Sequence, residues 1–280
     1  MIKLQPTLPG RVEVTMFSES PAIYLDHWAL RKIASNQEWR ARFLQAFKTR
    51  GTLFFSTVHL AELAGNNSES IESVRSLLAA IGPHWMVINV NPFEVLEREA
   101  TWTPNQKAPH VGDFFFKQGD FLKRLVTGTV SLTHLVDMMG HAEREALVAQ
   151  TEHMCGTMVE SISRFREAYK KDKTILDTTF PDEGFNERNP MRYVLFQLMR
   201  RFTKDSFGLD TNHIRDFFHT AVPVAYANMV ALDKHWHGQV QKLQLPPQFM
   251  RPFKESTMDA FFEVLEACPA VRSSAQPVVD

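Results

Sequence analysis

Four acidic residues occur where the sequence pattern changes from one structural element to the next. Asp26 and Asp233 each follow a short apolar run, whereas Glu62 and Asp216 each lie on a helical pattern. Carboxylates that are brought close together repel one another unless a cation or a proton intervenes. Hard divalent cations prefer such oxygen ligands. If the fold gathers these side chains, they are predicted to bind Mg²⁺ or Mn²⁺.

A site of this kind would act on phosphodiester bonds. Divalent ions polarise a phosphodiester oxygen and lower the pKa of a water molecule, so no covalent nucleophile is required. Asp26, Glu62, Asp216 and Asp233 are therefore predicted to be catalytic as well as metal-binding. A phosphatase with an aspartyl nucleophile would need an Asp-x-Asp motif, but Trp28 stands where the second acid would be.

Polar side chains near the acids could orient them or contact the substrate. Ser56 and Thr57 end an apolar run shortly before the Glu62 helix, and His219 lies one helical turn after Asp216. Asn228 precedes the apolar run that ends at Asp233. We expect Ser56, Thr57, His219 and Asn228 to support the site. Helix capping by Ser56 or Thr57, and a turn at Asn228, are equally good interpretations.

Short apolar runs alternate with helical patterns in the first hundred residues. Strands are predicted at 22–25, 52–56 and 85–90, with one long helix from His27 to Arg50 and another opened by Asn91-Pro92. This alternation favours an α/β fold, with a parallel sheet flanked by helices. The loops beyond the carboxyl ends of such strands form a crevice, which is where Asp26 and Asp233 would lie.

The alternation stops between residues 101 and 210. This stretch lacks a convincing strand and is predicted to be an all-helical insertion, with one helix from Ser131 to about Lys171 and another after Asn189-Pro190. The predicted organisation is thus an α/β domain in two parts, 1–100 and 211–270, around an insertion at 101–210. A polar tail at 271–280 is expected to be flexible.

The placement of the acids resembles that in PIN-domain proteins. Asp26 after the first strand, Glu62 on an early helix, Asp216 in an Asp-x-x-His helix and Asp233 after a later strand carry the resemblance, which covers about residues 20–100 and 211–255. PIN domains are Mg²⁺- or Mn²⁺-dependent nucleases that most often act on single-stranded RNA. The resemblance implies a PIN-like parallel sheet, an endoribonuclease activity, and these four acids as metal ligands. It does not account for the insertion.

The insertion carries several arginines close in sequence to residue 211, where the α/β part of the chain resumes. Arg188, Arg192, Arg200 and Arg201 are predicted to edge the cleft and contact phosphates. Acidic residues are interleaved with these arginines, so ordinary solvated helix faces are the alternative interpretation.

Composition leaves several functions open. The 31 basic and 32 acidic residues nearly balance, so no overall field indicates a nucleic-acid or membrane partner. The two cysteines, the lack of a secretory signal and the lack of a long apolar run predict a cytoplasmic protein without a membrane partner. RNA is the expected partner, and an inhibitor protein or a homodimer stays open. The alternatives are a structure-dependent DNA nuclease and a non-catalytic RNA-binding or scaffold protein.

Overall fold

The computed structural model describes residues 2–8, 11–16, 18–47, 51–64, 69–103, 106–112, 128–129, 132–138, 140–204 and 209–269. Its strands are β1 (Ile2–Leu8), β2 (Arg11–Met16), β3 (Ala22–Leu25), β4 (Thr52–Ser56), β5 (Trp85–Ile88), β6 (Gly128–Thr129), β7 (Met229–Ala231) and β8 (Arg251–Phe253). Its helices are α1 (His27–Ser35), α2 (Gln37–Phe47), α3 (Thr57–Ala64), α4 (Glu69–Ile81), α5 (Pro92–Thr101), α6 (Leu132–Met138), α7 (His141–Lys171), α8 (Thr174–Thr179), α9 (Pro190–Lys204), α10 (Thr211–Tyr226), α11 (Lys234–Gln241) and α12 (Met258–Ala267).

Five strands form one parallel sheet in the order β5-β4-β3-β7-β8. The predicted α/β class, a parallel sheet flanked by helices, is confirmed. Side chains alternate between its two faces, as the pleat of a strand requires. Ile23 and Leu25 pack with α1, α2, α4 and α12, whereas Tyr24, Phe54 and Val230 pack with α9 and α10. Helices cover both faces, so the central strands β3, β4, β5 and β7 are buried along their whole length.

The chain order reverses in the middle of this sheet. From β3 the chain builds outward through β4 to β5, and it returns to place β7 on the other side of β3 and β8 beyond it. The N–H of Asp26 donates to the carbonyl of Ala231 at 2.9 Å, which joins the carboxyl ends of β3 and β7. Ligands of open α/β sheets bind at such a reversal, outside the carboxyl ends of the strands.

A second, smaller sheet was not indicated by the sequence. β1 and β2 form an antiparallel hairpin, and β6 pairs with β1. The described residues of the segment 101–210 are mostly helical as predicted, but the segment also contributes the two-residue strand β6 to this sheet. Within the described part of the chain, no helix is long and apolar enough to cross a membrane.

Two predicted long helices are each interrupted once. The helix expected from His27 to Arg50 is divided at Asn36, whose backbone is extended. The Asn36 N–H donates to the Lys32 carbonyl at the end of α1. The Asn36 side chain accepts from the Trp39 N–H at the start of α2. The helix expected from Ser131 to Lys171 is divided at Gly140, which is extended and precedes α7. Residues 48–50, 130–131 and 270–280, which include parts of the predicted helices and the predicted flexible tail, lie outside the described residues.

Candidate functional site

Asp26 and Asp233 lie at the carboxyl ends of β3 and β7, and each caps the helix that follows. The Asp26 Oδ1 accepts from the His27 N–H at 2.7 Å, and the Asp233 Oδ1 accepts from the Trp236 N–H at 2.8 Å. A capping aspartate satisfies backbone donors that would otherwise have no partner. One oxygen of each carboxylate is fixed by its cap, so the two side chains are held beside the point where the chain order reverses.

Asp216 approaches the same place from the second turn of α10. The pKa of Asp26 is raised to about 6 by burial and by the negative charges of Asp233 and Asp216, against the opposing hydrogen bond from the His27 N–H. The pKa of Asp216 is also raised, by burial first and by Asp233 second, while the Trp236 side chain opposes the shift. Mutual repulsion of this kind requires proximity. Asp216 and Asp233 are thus near enough to Asp26 to raise its pKa, and these three residues are called the acidic cluster below.

Glu62 lies on α3, which begins directly after the carboxyl end of β4. Its side chain is outside the described residues. Among the side chains that are described, no group of three or more His, Cys, Asp or Glu stands in a geometry that could hold a metal ion. Asp26, Asp216 and Asp233 nevertheless offer carboxylate oxygens, the ligand type that a hard divalent cation prefers. The residue types thus fit Mg²⁺ or Mn²⁺ without forming a complete coordination shell.

A layer of hydroxyl and imidazole groups lies beneath the acids, on the face of the sheet covered by α10. The Oγ of Ser56 is 2.9 Å from the His59 Nδ1 and 3.4 Å from the His219 Nδ1. The His219 Nδ1 is also 3.5 Å from the Tyr24 hydroxyl. His219 thus links the helix of Asp216 to β3 and β4.

Ser56 has a structural role of its own. It is fully buried, and its hydroxyl accepts from the His59 N–H at 3.3 Å, which caps α3. A nucleophilic serine must reach a substrate, so this serine is better suited to hold α3 against the sheet. Thr57 is the half-buried first residue of the same helix. His59, which is buried between Tyr24 and Phe55, was not foreseen as part of this layer. The Ser-x-x-His spacing at a helix start was the available signal.

Asn228 lies apart from the acidic cluster, at the amino ends of the strands. Its Oδ1 accepts from the Ala22 N–H at 2.8 Å, and its N–H donates to the Ala22 carbonyl at 2.8 Å. Its carbonyl accepts from the Arg251 N–H at 2.9 Å. Asn228 therefore fixes the register of β3, β7 and β8 at the opposite edge of the sheet, which corresponds to the turn role considered for it above.

The four arginines predicted to bind phosphates do not form one surface. Arg192 makes two hydrogen bonds of 2.7 Å to Glu183, and the buried Arg200 donates to Asp177 at 2.7 Å. Arg201 lies nine residues after Arg192 on α9, about 13 Å along the axis, and contacts Gln239 on α11 at 3.4 Å. Arg188 is exposed before the start of α9. Of this group, Arg201 has a described contact with α11, the helix that Asp233 caps.

No protein-family model, curated protein or solved structure matches this chain. The resemblance to PIN-domain proteins therefore stays a prediction from the acids and their positions.

Proposed function

We propose that this protein is a divalent-metal-dependent endoribonuclease with a PIN-like site, which hydrolyses phosphodiester bonds of single-stranded RNA. The observation that carries this proposal is the convergence of Asp26, Asp216 and Asp233 where the strand order reverses. A cluster of acids in that position, with a raised pKa at Asp26, is costly for a protein without a cation. Functional sites are where such a cost is commonly retained.

Asp26, Asp216 and Asp233 would hold Mg²⁺ or Mn²⁺, with Glu62 as a fourth ligand from α3. When bound, the cation supplies Lewis-acid stabilisation for phosphodiester hydrolysis. The helix caps on Asp26 and Asp233 orient these two carboxylates before any ligand arrives. His219, held near Ser56 and Tyr24, keeps α10 and therefore Asp216 in register with the strand ends.

The choice of RNA over DNA rests on the resemblance, because an acidic cluster acts equally on either backbone. A structure-dependent DNA nuclease using the same residues is the alternative enzyme. The chain has two cysteines, too few for a disulfide framework, which suits the reducing cytoplasm in which we propose that the activity resides.

The test is a cleavage assay with end-labelled single-stranded RNA, single-stranded DNA of the same sequence and a branched DNA, each with Mg²⁺, Mn²⁺ or EDTA. We expect metal-dependent cleavage of the RNA that falls about 100-fold in Asp26→Asn and Asp216→Asn. Asp259→Asn, which alters an exposed acid on α12, is the matched control and should cleave normally. Absence of metal-dependent cleavage of all three substrates would leave only the non-catalytic alternative.

A second readout does not depend on finding the right substrate. A ligand that binds only the folded state raises the melting temperature. Mn²⁺ should therefore stabilise the parent protein and the Asp259→Asn control, and stabilise Asp26→Asn and Asp216→Asn much less. Equal stabilisation of all four proteins would place the metal elsewhere.

A further inference from the structure

A cleft of about 650 Å³ opens beside the acidic cluster, beyond the carboxyl ends of β7 and β8. α1 contributes Trp28 and Lys32 to its wall, and α11 contributes Lys234 at its first position. Lys254, directly after β8, also lines the cleft, beside the acidic Glu255. Asp233 belongs both to this cleft and to the acidic cluster, so a molecule bound in the cleft would lie next to the proposed reaction centre.

The three lysines of the cleft differ in their ion pairing. Lys32 pairs with Glu255 at 3.2 Å. Lys234 and Lys254 make no ion pair with any residue that the structure describes. Lys254 is half-buried, and its charge is close enough to lower the pKa of His237, which burial lowers first. A partly buried cation without a counter-charge favours an anionic ligand.

Trp28 is the aromatic residue that lines the cleft. Its ring is half-buried and packs against the core on the α1 face of the sheet. Its indole N–H is buried and has no hydrogen-bond partner among the described residues. Aromatic faces combined with lysines along a groove are how proteins bind single-stranded nucleic acids, because bases stack on the rings while the cations follow the phosphates.

We propose that this cleft binds the nucleotide adjacent to the scissile bond of a single-stranded nucleic acid. Lys234 and Lys254 contact its phosphate, and Trp28 stacks on its base. The assignment rests on the proposed function for the choice of ligand. It implies that the strand crosses the carboxyl edge of the sheet, from the Asp216 side over Asp26 and Asp233 towards α1.

Binding is tested without cleavage, by fluorescence anisotropy of dye-labelled 12-nucleotide RNA and DNA of one sequence, in EDTA and over a range of salt concentrations. The variant Lys234→Gln/Lys254→Gln should bind roughly tenfold more weakly, and the slope of log affinity against log salt should flatten by about 1.4, or about 0.7 for each lost phosphate contact. The matched control is Lys171→Gln/Lys173→Gln, which removes two exposed lysines at the end of α7. It should keep the parent slope.

Trp28→Leu should weaken binding by about 5- to 150-fold, the range for loss of one stacked base, and should leave the salt slope unchanged. Trp28→Phe, which keeps an aromatic ring in the wall, should retain most of the affinity and shows whether the Leu variant fails through folding. Equal affinities for RNA and DNA would show that the cleft accepts either nucleic acid, and a higher affinity for RNA would show that it prefers RNA.

Two results would overturn the proposal: a parent protein that binds neither oligonucleotide, or a lysine variant with the parent's affinity and slope. Failure of the nuclease proposal is distinguishable from both. If the lysines govern binding but no substrate is cut with Mn²⁺, the cleft stands and the enzyme assignment falls. If RNA is cut while the lysine and tryptophan variants bind as the parent does, the enzyme assignment stands and the cleft falls.

Discussion

Asp26 concentrates the electrostatic cost of this fold in one side chain. It is placed by β3, restrained by the His27 N–H and repelled by Asp216 and Asp233. Its raised pKa means that the folded protein favours the protonated carboxyl more strongly than the unfolded chain does. The favourable contribution is fully present below pH 3.8, the pKa of the unfolded chain, and is lost as the pH rises through about 6. At neutral pH without metal, ionised Asp26 therefore destabilises the fold.

Replacing the Asp26 carboxyl by an amide should remove the destabilisation that the ionised carboxylate causes at neutral pH. In EDTA at pH 7.5, we expect Asp26→Asn to raise the free energy of unfolding by up to about 3 kcal/mol, the equivalent of the raised pKa. At pH 4 the gain should largely vanish, because the parent is then protonated as well. Urea denaturation at the two pH values measures both, with Asp259→Asn as the control. A variant that is less stable than the parent at both pH values would give Asp26 a structural role instead.

Among the helices, a second buried carboxylate has a structural role: Glu99 joins three of them. It lies on α5 and accepts from the N–H of Met191 at 2.9 Å and of Arg192 at 3.1 Å, in the first turn of α9. The hydroxyl of Tyr226, at the end of α10, donates to it at 2.7 Å. Burial raises the pKa of Glu99, and these hydrogen bonds oppose that shift. Glu99 thus ties α9 of the insertion to α5 and α10 of the α/β frame.

Removal of this carboxylate should loosen α9 and α10 together. We expect Glu99→Ala to cost about 3 kcal/mol of stability, since it leaves the buried N–H groups of Met191 and Arg192 without their acceptor. Glu99→Gln keeps one acceptor oxygen and should cost less than half as much. Chemical denaturation gives the totals, and hydrogen exchange should show faster exchange at the start of α9. A cost below about 1 kcal/mol for the alanine variant would show that water replaces the carboxylate easily.

The elements that the sequence predicts best are those whose signal is local. The strands at Ala22–Leu25 and Thr52–Ser56 are short runs buried on both faces. The Asn91-Pro92 pair indicates a helix start, and the Asn91 side chain caps α5 by accepting from the N–H groups of Phe93 and Glu94. The breaks at Asn36 and Gly140 were not predictable from periodicity, because the apolar pattern continues across a single extended residue.

Features that depend on distant pairing left no local signal. Asn228 reads as a strand-end polar residue, and only the register of β3 against β7 shows that it lies at the opposite edge from Asp26. The lysine cleft joins residues of α1, α11 and the turn after β8, which are far apart in the chain. The places of the four acids in the chain have a local signal, because Asp26 and Asp233 each follow a strand and Glu62 and Asp216 each lie on a helix.

For the molecule as a whole, acidification has opposing effects at two buried groups, Asp26 and His110. Protonation of Asp26 relieves repulsion at the carboxyl edge as the pH falls through about 6. His110 acts in the other direction. Its ring stacks on Tyr226 with centroids 4.5 Å apart and lies 5.3 Å from Phe54, and both ring nitrogens are buried without a hydrogen-bond partner among the described residues. Burial lowers its pKa to about 4.

His110 should therefore contribute to the loss of folding stability at low pH. Because its folded-state pKa is depressed, its contribution is fully present above pH 6.5, the pKa of the unfolded chain, and is lost as the pH falls through about 4. His110→Phe keeps the aromatic packing on Tyr226 and removes the titrating group. Between pH 7 and pH 3.5 this variant should gain about 3 kcal/mol relative to the parent, measured by urea denaturation in EDTA. His141→Phe, at an exposed position at the start of α7, should follow the parent profile. If His110→Phe loses stability with falling pH as steeply as the parent, the loss of stability at low pH comes from other groups, and the ring nitrogens of His110 have a partner in solution.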